Sequence, residues 1–245
     1  MLILLPPSEG KATADAGPAL DLASLSFPSL PRRTVLEALT TLCGRPEEAR
    51  SVLGLSEGQT GELTKNLRLR TAPALPVAEL YTGVLYDHLG LASLTAQAAG
   101  RAAERLLVFS GLWGLLRITD RVPPYRLSMG VRLPPLGGLG AFWRRSLTPV
   151  LDAEPGLVVD LRSGTYAAAW QPGGRGVAVR VLKDGKVVSH MAKATRGVIA
   201  RSLLEGGADP RTPEELAKVL GDLGHVVRLG PAPGGRRPWT LDVLV

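Results

Sequence analysis

The sequence predicts a mixed α/β fold, a single compact domain over residues 1–245 with a central mixed sheet flanked by helices. Three observations predict it. Apolar runs of strand length alternate along the chain with stretches of helical spacing. Asp184-Gly185 stands between two apolar segments as a hairpin signal, because both turn positions favour positive φ, so at least one strand pair is antiparallel. No linker, composition shift or internal repeat divides the chain.

In order, Leu2–Leu5 is a short strand ended by Pro6-Pro7, and residues 12–31, rich in Ala, Gly, Ser and Pro, form a loop. Thr34–Cys43 has helical spacing through Val35, Leu36, Leu39 and Leu42. Pro46–Leu53 and Gly58–Leu69 are expected as two further short helices. Leu80–Leu89 and the alanine-rich Ser93–Leu106 are also helical in pattern. Leu106–Phe109 reads as a buried strand closed by Ser110-Gly111, and Leu112–Ile118 as a short helix. Tyr125–Leu133 has the cleanest alternation and is expected as a strand. Its Leu127, Met129, Val131 and Leu133 point one way; Arg126, Ser128, Gly130 and Arg132 point the other. Then follow a helix (Phe142–Leu151), a strand (Leu157–Leu161), and a hairpin of Gly176–Lys183 with Lys186–Met191. A helix (Lys193–Leu204), a helix begun by the capping box Thr212-Pro213-Glu214-Glu215, and two strands (Val226–Leu229, Trp239–Val245) finish the chain.

Composition narrows the function classes. Apolar residues make up 45% and charged residues 21%, which suits a globular protein and argues against disorder. A single cysteine, Cys43, excludes an internal disulfide framework and any CxxC metal site. His88, His190 and His225 lie far apart without H-x3-H spacing, so no metal site and no cofactor are expected. No apolar run approaches the roughly 18 residues that span a bilayer. The start, MLILLPPSEGK, lacks a basic n-region and reads as a strand rather than a signal peptide. A cytosolic protein without a membrane partner is the expectation.

The charge is unevenly placed. The net +7 includes eight arginines against Glu104 and Asp120 in residues 101–145, a net +6. Residues 180–201 carry six cations against Asp184, a net +5, so the rest of the chain is mildly acidic. Brought together by the fold, the two segments make a positively charged cleft that attracts phosphates. Scattered, they are a solvated face.

Individual residues sharpen this. On the helix Lys193–Leu204, at about 100° per residue, Arg196 falls inside the buried arc set by Ile199, Ala200, Leu203 and Leu204. Lys193 lies at the edge of that arc and Arg201 on its flank. Inward cations need an anion, either an internal carboxylate or a phosphate-bearing ligand. Arg126 and Arg132 share a strand face that is either solvent or a cleft wall where guanidinium forks grip phosphate. Ser8–Lys11 follows a strand and carries glycine, but it lacks the G-x4-GK[ST] spacing of a nucleotide-hydrolase loop. Ser110 and Ser163, each before a glycine, also follow strands, where α/β proteins place ligands. Asp160, in an apolar strand, is expected to pair structurally with one of these arginines. No triad order and no G-x-S-x-G assigns a catalytic residue. Residues 53–69 can be read as a helix-hairpin-helix-like element, which binds phosphate through backbone N–H groups; an ordinary helical turn is the commoner meaning of such a pair.

Several blocks resemble the YaaA family of bacterial peroxide-stress proteins: MLILLPPSEGK, Tyr81-Thr82-Gly83, the run from Phe109 to Leu133 (FSGLWGLLR…PPYRLSMGVRL), Phe142-Trp143, VVDLRSGTY and AKATRGVIAR. The resemblance covers nearly the whole chain. It implies a cytosolic protein protective against hydrogen peroxide, thought to limit available iron and so oxidative damage. It also implies one α/β domain with a positively charged cleft and a helix-hairpin-helix, and hence binding to double-stranded DNA. The family's recurrent polar positions fall on Lys11, Asn66, Tyr81, Thr82, Ser110, Arg117, Tyr125, Arg126, Met129, Arg132, Ser163, Tyr166, Lys193, Arg196 and Arg201. Many members open with Ser-Pro-Ala-Lys, so the loop before Lys11 is longer in this chain.

Two functions are therefore expected in competition. One is a non-catalytic, salt-sensitive DNA-binding stress protein. The other is an enzyme acting on a phosphorylated or nucleotide-like small molecule, for which Ser8, Lys11, Ser110, Tyr125, Arg126 and Arg132 are the candidates. Direct iron sequestration lacks a cluster with ligand spacing.

Overall fold

The computed structural model describes residues 1–245 except 184, 188, 233, 235 and 236, and describes 187, 189 and 190 by backbone alone. The sheet grows from apolar runs too short and too β-branched or leucine-rich to face water. β1 (Leu2–Leu5), β3 (Leu106–Ser110) and β8 (Val158–Asp160) are buried at every residue, as parallel strands covered on both faces are. β1 lies between them, pairing parallel with β3 (Leu4 opposite Leu107) and with β8 (Ile3 opposite Val159). β9 (Gly176–Lys183) continues the parallel array beside β8, and β12 (Trp239–Leu244) beside β9. The edges turn antiparallel: β4 (Gly114–Arg117) on β3, β11 (Val227–Leu229) on β12, and the short β10 (Lys186–Val187) on β9. The order across the sheet is β11-β12-β9-β8-β1-β3-β4. Two small pairs stand apart, β2 (Leu75–Pro76) with β5 (Arg121–Val122) and β6 (Arg132–Leu133) with β7 (Gly137–Gly138).

Helices cover this sheet. α1 (Arg32–Cys43), α2 (Pro46–Leu53) and α3 (Gly61–Leu67) form one cluster. α4 (Val77–Leu80) and α5 (Val84–Leu89) lead to α6 (Ala96–Arg105), which Thr95 caps by accepting from Ala98 N–H. α7 (Leu139–Asp152) buries Trp143, whose Nε1 donates to Gly111 O at 2.8 Å. α8 (Gly164–Ala167) is one turn, α9 (Ser189–Gly206) is the longest helix, and α10 (Pro213–Asp222) starts at the Thr212 cap. α9 packs on α5 with almost no gap: a Cβ on Gly197 would lie 2.2 Å from Leu85 O.

Several expected elements differ. Leu112–Ile118 is not a helix. Gly114, at φ +72°, turns the chain back so that β4 pairs with β3. Tyr125–Leu133 is not a strand over its length; only Arg132–Leu133 pairs. Its alternating burial is real, with Tyr125, Leu127, Met129 and Leu133 inside, but Pro123-Pro124 supply no N–H and no neighbouring strand takes up the rest. Leu80–Leu89 is interrupted at Tyr81, which is extended and bridges to Lys11. The expected strand Lys186–Met191 stops at Val187, because α9 begins at Ser189. Of the Asp184-Gly185 turn, Asp184 lies outside the described residues; Gly185 has φ +74°. Residues 53–69 hold the end of α2, a 3-10 turn (Glu57–Gln59) and the seven-residue α3.

Candidate functional site

A pocket opens beyond the carboxyl ends of β1 and β8, the position at which parallel α/β sheets receive ligands. Its volume is about 510 Å³. One wall is the loop that leaves β1, Pro6 to Lys11. A second is Ser163, Thr165 and Tyr166 after β8. Arg126–Ser128 close a third side, and Thr82–Tyr86 with Lys193 and Arg196 of α9 the fourth. Eight residues named from the sequence or the resemblance therefore meet here: Ser8, Lys11, Thr82, Arg126, Ser163, Tyr166, Lys193 and Arg196.

The loop is tied down locally. Ser8 Oγ donates to Gly10 O in a short contact and accepts from Thr82 N–H at 3.1 Å. Gly10 approaches Thr82 so closely that a Cβ would lie 3.0 Å from its Oγ1. Lys11 Nζ donates to Ser8 O (2.8 Å) and Glu9 O (3.4 Å) and lies 4.4 Å from the centre of the Tyr125 ring. Burial, reinforced by the Arg126 charge, lowers the Lys11 amine to a pKa of about 8.

Beneath Lys11 runs a chain of hydroxyls. Ser110 Oγ accepts from the N–H groups of Leu112 (3.2 Å) and Trp113 (2.9 Å), so its own proton is left for Tyr125 Oη at 2.7 Å. Tyr125 Oη in turn lies 2.9 Å from Tyr81 Oη. Burial holds both phenols well above the usual tyrosine range. Ser110 and Tyr125 thus build the floor and do not line the pocket. Asn66 plays a similar part from α3: its Nδ2 donates to Arg126 O and its Oδ1 accepts from Arg126 N–H, both at 2.9 Å, which fixes the backbone that carries the Arg126 side chain.

The cations have little acidic company. Arg126 meets Glu9 at 3.8 Å, but the Glu9 side chain is 86% exposed, so solvent screens that pair. Lys11, Lys193 and Arg196 make no ion pair among the described residues. Arg196 is half-buried, and its Nε is closed off from solvent with no hydrogen-bond partner among the described residues. Burial lowers its pKa against the opposing pull of Asp160. Asp160 cannot do more, because both its oxygens are taken by Arg162, at 2.8 Å to Nε and 2.6 Å to Nη2. That structural pair had been expected with one of the cleft arginines. Arg162 stacks instead over Phe109 at 4.1 Å, and nothing in its sequence spacing marks it.

Three expected site residues lie elsewhere. Arg117 donates to Glu104 O at 2.7 Å and stacks on Phe27. Arg201 donates to Leu89 O, Gly90 O and Ser93, and pairs with Glu205 at 3.5 Å. Arg132 is exposed outside the pocket wall. Glu9 and Thr165 also line the pocket; no charge pattern or periodicity marks them, only their place in the PPSEGK and VVDLRSGTY runs. Among the described residues no three His, Cys, Asp or Glu side chains gather as metal donors, and no helix is long and apolar enough to cross a membrane.

Comparison with known proteins supplies the remaining observation. A family model described as peroxide stress protein YaaA matches residues 1–225. The UPF0246 protein SCO2297 of Streptomyces coelicolor is 58% identical, over all of this chain and 98% of its own length. The UPF0246 protein CE1889 of Corynebacterium efficiens is 42% identical over 94% of this chain and 95% of its own. A UPF0246 protein of Cereibacter sphaeroides is 32% identical over 88% and 90%.

Proposed function

The chain belongs to the peroxide stress protein YaaA family, and from that premise we propose that it serves the peroxide-stress response by binding a phosphate-bearing ligand in the pocket of Lys11, Arg126, Lys193 and Arg196. The observation that carries the reading is the convergence of four cations on one pocket whose only ion-paired carboxylate among the described residues is the solvent-screened Glu9. Part-buried cations without counter-ions are costly to the folded protein unless an anion completes them. Phosphate supplies acceptor oxygens in the geometry an arginine fork matches. A volume of about 510 Å³ suits a nucleotide-sized molecule or one nucleotide unit of a polymer.

Duplex DNA is the second reading. It is favoured by the net +6 and +5 segments and by the exposure of Lys193 and Arg132. Backbone phosphates would then contact the pocket rim, as would a helix-hairpin-helix-like element in residues 53–69 if it takes part. Four cation contacts imply a log–log salt slope of roughly −3 to −4. A role in limiting iron-dependent damage would run through this ligand, since the described residues offer no donor cluster for iron.

The test is to measure binding of inorganic pyrophosphate, a nucleoside monophosphate and a short duplex, at low and moderate salt, to the wild type and to Arg196→Met. The reading expects small phosphates to raise the melting temperature by mass action and Arg196→Met to abolish that rise. Duplex binding that pyrophosphate displaces joins both readings at one site. Duplex binding indifferent to pyrophosphate and to Arg196→Met places DNA elsewhere. Failure of every phosphate to bind overturns the proposal.

A further inference from the structure

We propose that Lys11 forms a covalent imine with a phosphorylated aldehyde or ketone, its Nζ bonding the carbonyl carbon while Arg126, Lys193 and Arg196 hold the phosphate; this rests on the phosphate reading above.

Lys11 alone among the pocket cations lies over the aromatic floor, 4.4 Å from the Tyr125 ring centre, while the three others stand around the wall. A lysine kept only for charge is normally met by a carboxylate or by water. This one makes no ion pair among the described residues and donates to two backbone carbonyls, Ser8 O and Glu9 O. Two N–H donors are all that a neutral amine has, so its nitrogen keeps both contacts after losing a proton. The third position has no hydrogen-bond partner among the described residues. A desolvated lysine beside a second cation is the setting in which an amine becomes a nucleophile near neutral pH. Both conditions hold, since burial and Arg126 are the two largest influences on Lys11 and both favour the free base.

The chemistry needs nothing beyond the amine and the carbonyl compound. The Nζ lone pair bonds the carbonyl carbon, and the C=O π pair moves to oxygen. One amine proton passes to that oxygen, giving a carbinolamine. The hydroxyl then leaves with the remaining N–H proton as water, and the C=N bond forms. The hydroxyls of Ser163 and Tyr166 line the same pocket and can relay these protons.

The experiment incubates the full chain with glyceraldehyde 3-phosphate and sodium cyanoborohydride, which reduces imines to stable amines, and then maps the modified lysine by mass spectrometry. A parallel arm uses a duplex carrying an abasic site, whose sugar is likewise a phosphorylated aldehyde. The expected result is one adduct per chain, on Lys11 and not on Lys65, Lys183, Lys186, Lys193 or Lys218, suppressed by pyrophosphate. It should be at least about a hundredfold weaker with unphosphorylated glyceraldehyde, which forfeits all three charged contacts to the phosphate. Lys11→Arg, which keeps the charge, should lose it. An adduct in either arm supports the imine and identifies the source of the aldehyde. Pyrophosphate binding together with no adduct, or adducts spread over the other lysines, overturns the imine and leaves the phosphate reading standing. Absence of pyrophosphate binding defeats the phosphate reading itself.

Discussion

Replacing Arg196 by methionine should separate what the side chain costs the fold from what it does for a ligand. Methionine keeps an unbranched apolar stem against the neighbours of α9 and removes the guanidinium. Arg196 Nε is enclosed without a partner among the described residues, and an unsatisfied buried donor of this kind costs about 1–3 kcal/mol. Asp160 recovers part of that cost at a distance, although its oxygens already serve Arg162. Arg196→Met should therefore gain about 1 kcal/mol, which for a chain of 245 residues raises the melting temperature by about 2–4 °C. Affinity should move the other way. A hydrogen bond from a charged donor contributes about 1.5–3 kcal/mol, so pyrophosphate should bind roughly 10- to 100-fold more weakly. Calorimetric melting and titration calorimetry on the same two samples read both effects. A variant that melts several degrees lower would show Arg196 to be a structural residue. Unchanged pyrophosphate affinity would show that its guanidinium does not reach the ligand.

Other perturbations follow from the same geometry. Lys11 has a folded-state pKa of about 8 against an ordinary 10.5, so the unfolded chain binds the extra proton between those values and wild-type stability should rise through that window. Below about pH 8 the full penalty, up to about 3 kcal/mol, is present, so Lys11→Met should be the more stable form there and lose its advantage as pH approaches 10. Chemical denaturation of both proteins across pH 6–10 checks this, and parallel pH profiles would refute it. Asn66→Ala strands the N–H and C=O of Arg126, and should cost about 2–5 kcal/mol in urea denaturation while weakening phosphate binding. Gly197→Ala would drive a Cβ to 2.2 Å from Leu85 O, so α9 must move off α5 at a cost of about 1–3 kcal/mol or more, read from the same denaturation curves.

How much of this was visible in the sequence depends on the kind of contact involved. The buried strands β1, β3 and β8 were legible because an uninterrupted apolar run has few other uses in a chain that also carries helices. Arg196 was legible because a helical period places it among Ile199, Ala200 and Leu203, so its inward position follows from angle alone. Arg117 and Arg201 carry the same charge, yet backbone carbonyls of Glu104, Leu89 and Gly90 absorb them, and no sequence pattern announces a carbonyl. The region after β3 was misread for a similar reason. GLWGLLR has helix-compatible letters, but Gly114 and the Ser110 side chain, which accepts from Leu112 and Trp113, bend it into a hairpin. The alternation over Tyr125–Leu133 placed Leu127, Met129 and Leu133 inside, as they are, while Val131 is only half-buried. It could not say that the backbone partner there is the Asn66 side chain rather than a neighbouring strand.

The central claim is that four cations from three separate stretches of chain enclose one anion. A crystal structure of the wild-type protein grown with inorganic pyrophosphate tests it most directly. Density for the anion is expected between Lys11, Arg126, Lys193 and Arg196, with its oxygens about 2.7–3.2 Å from their outer side-chain nitrogens. Pyrophosphate bound on another surface, or Arg196 turned to a protein partner with the pocket unoccupied at saturating anion, would contradict it.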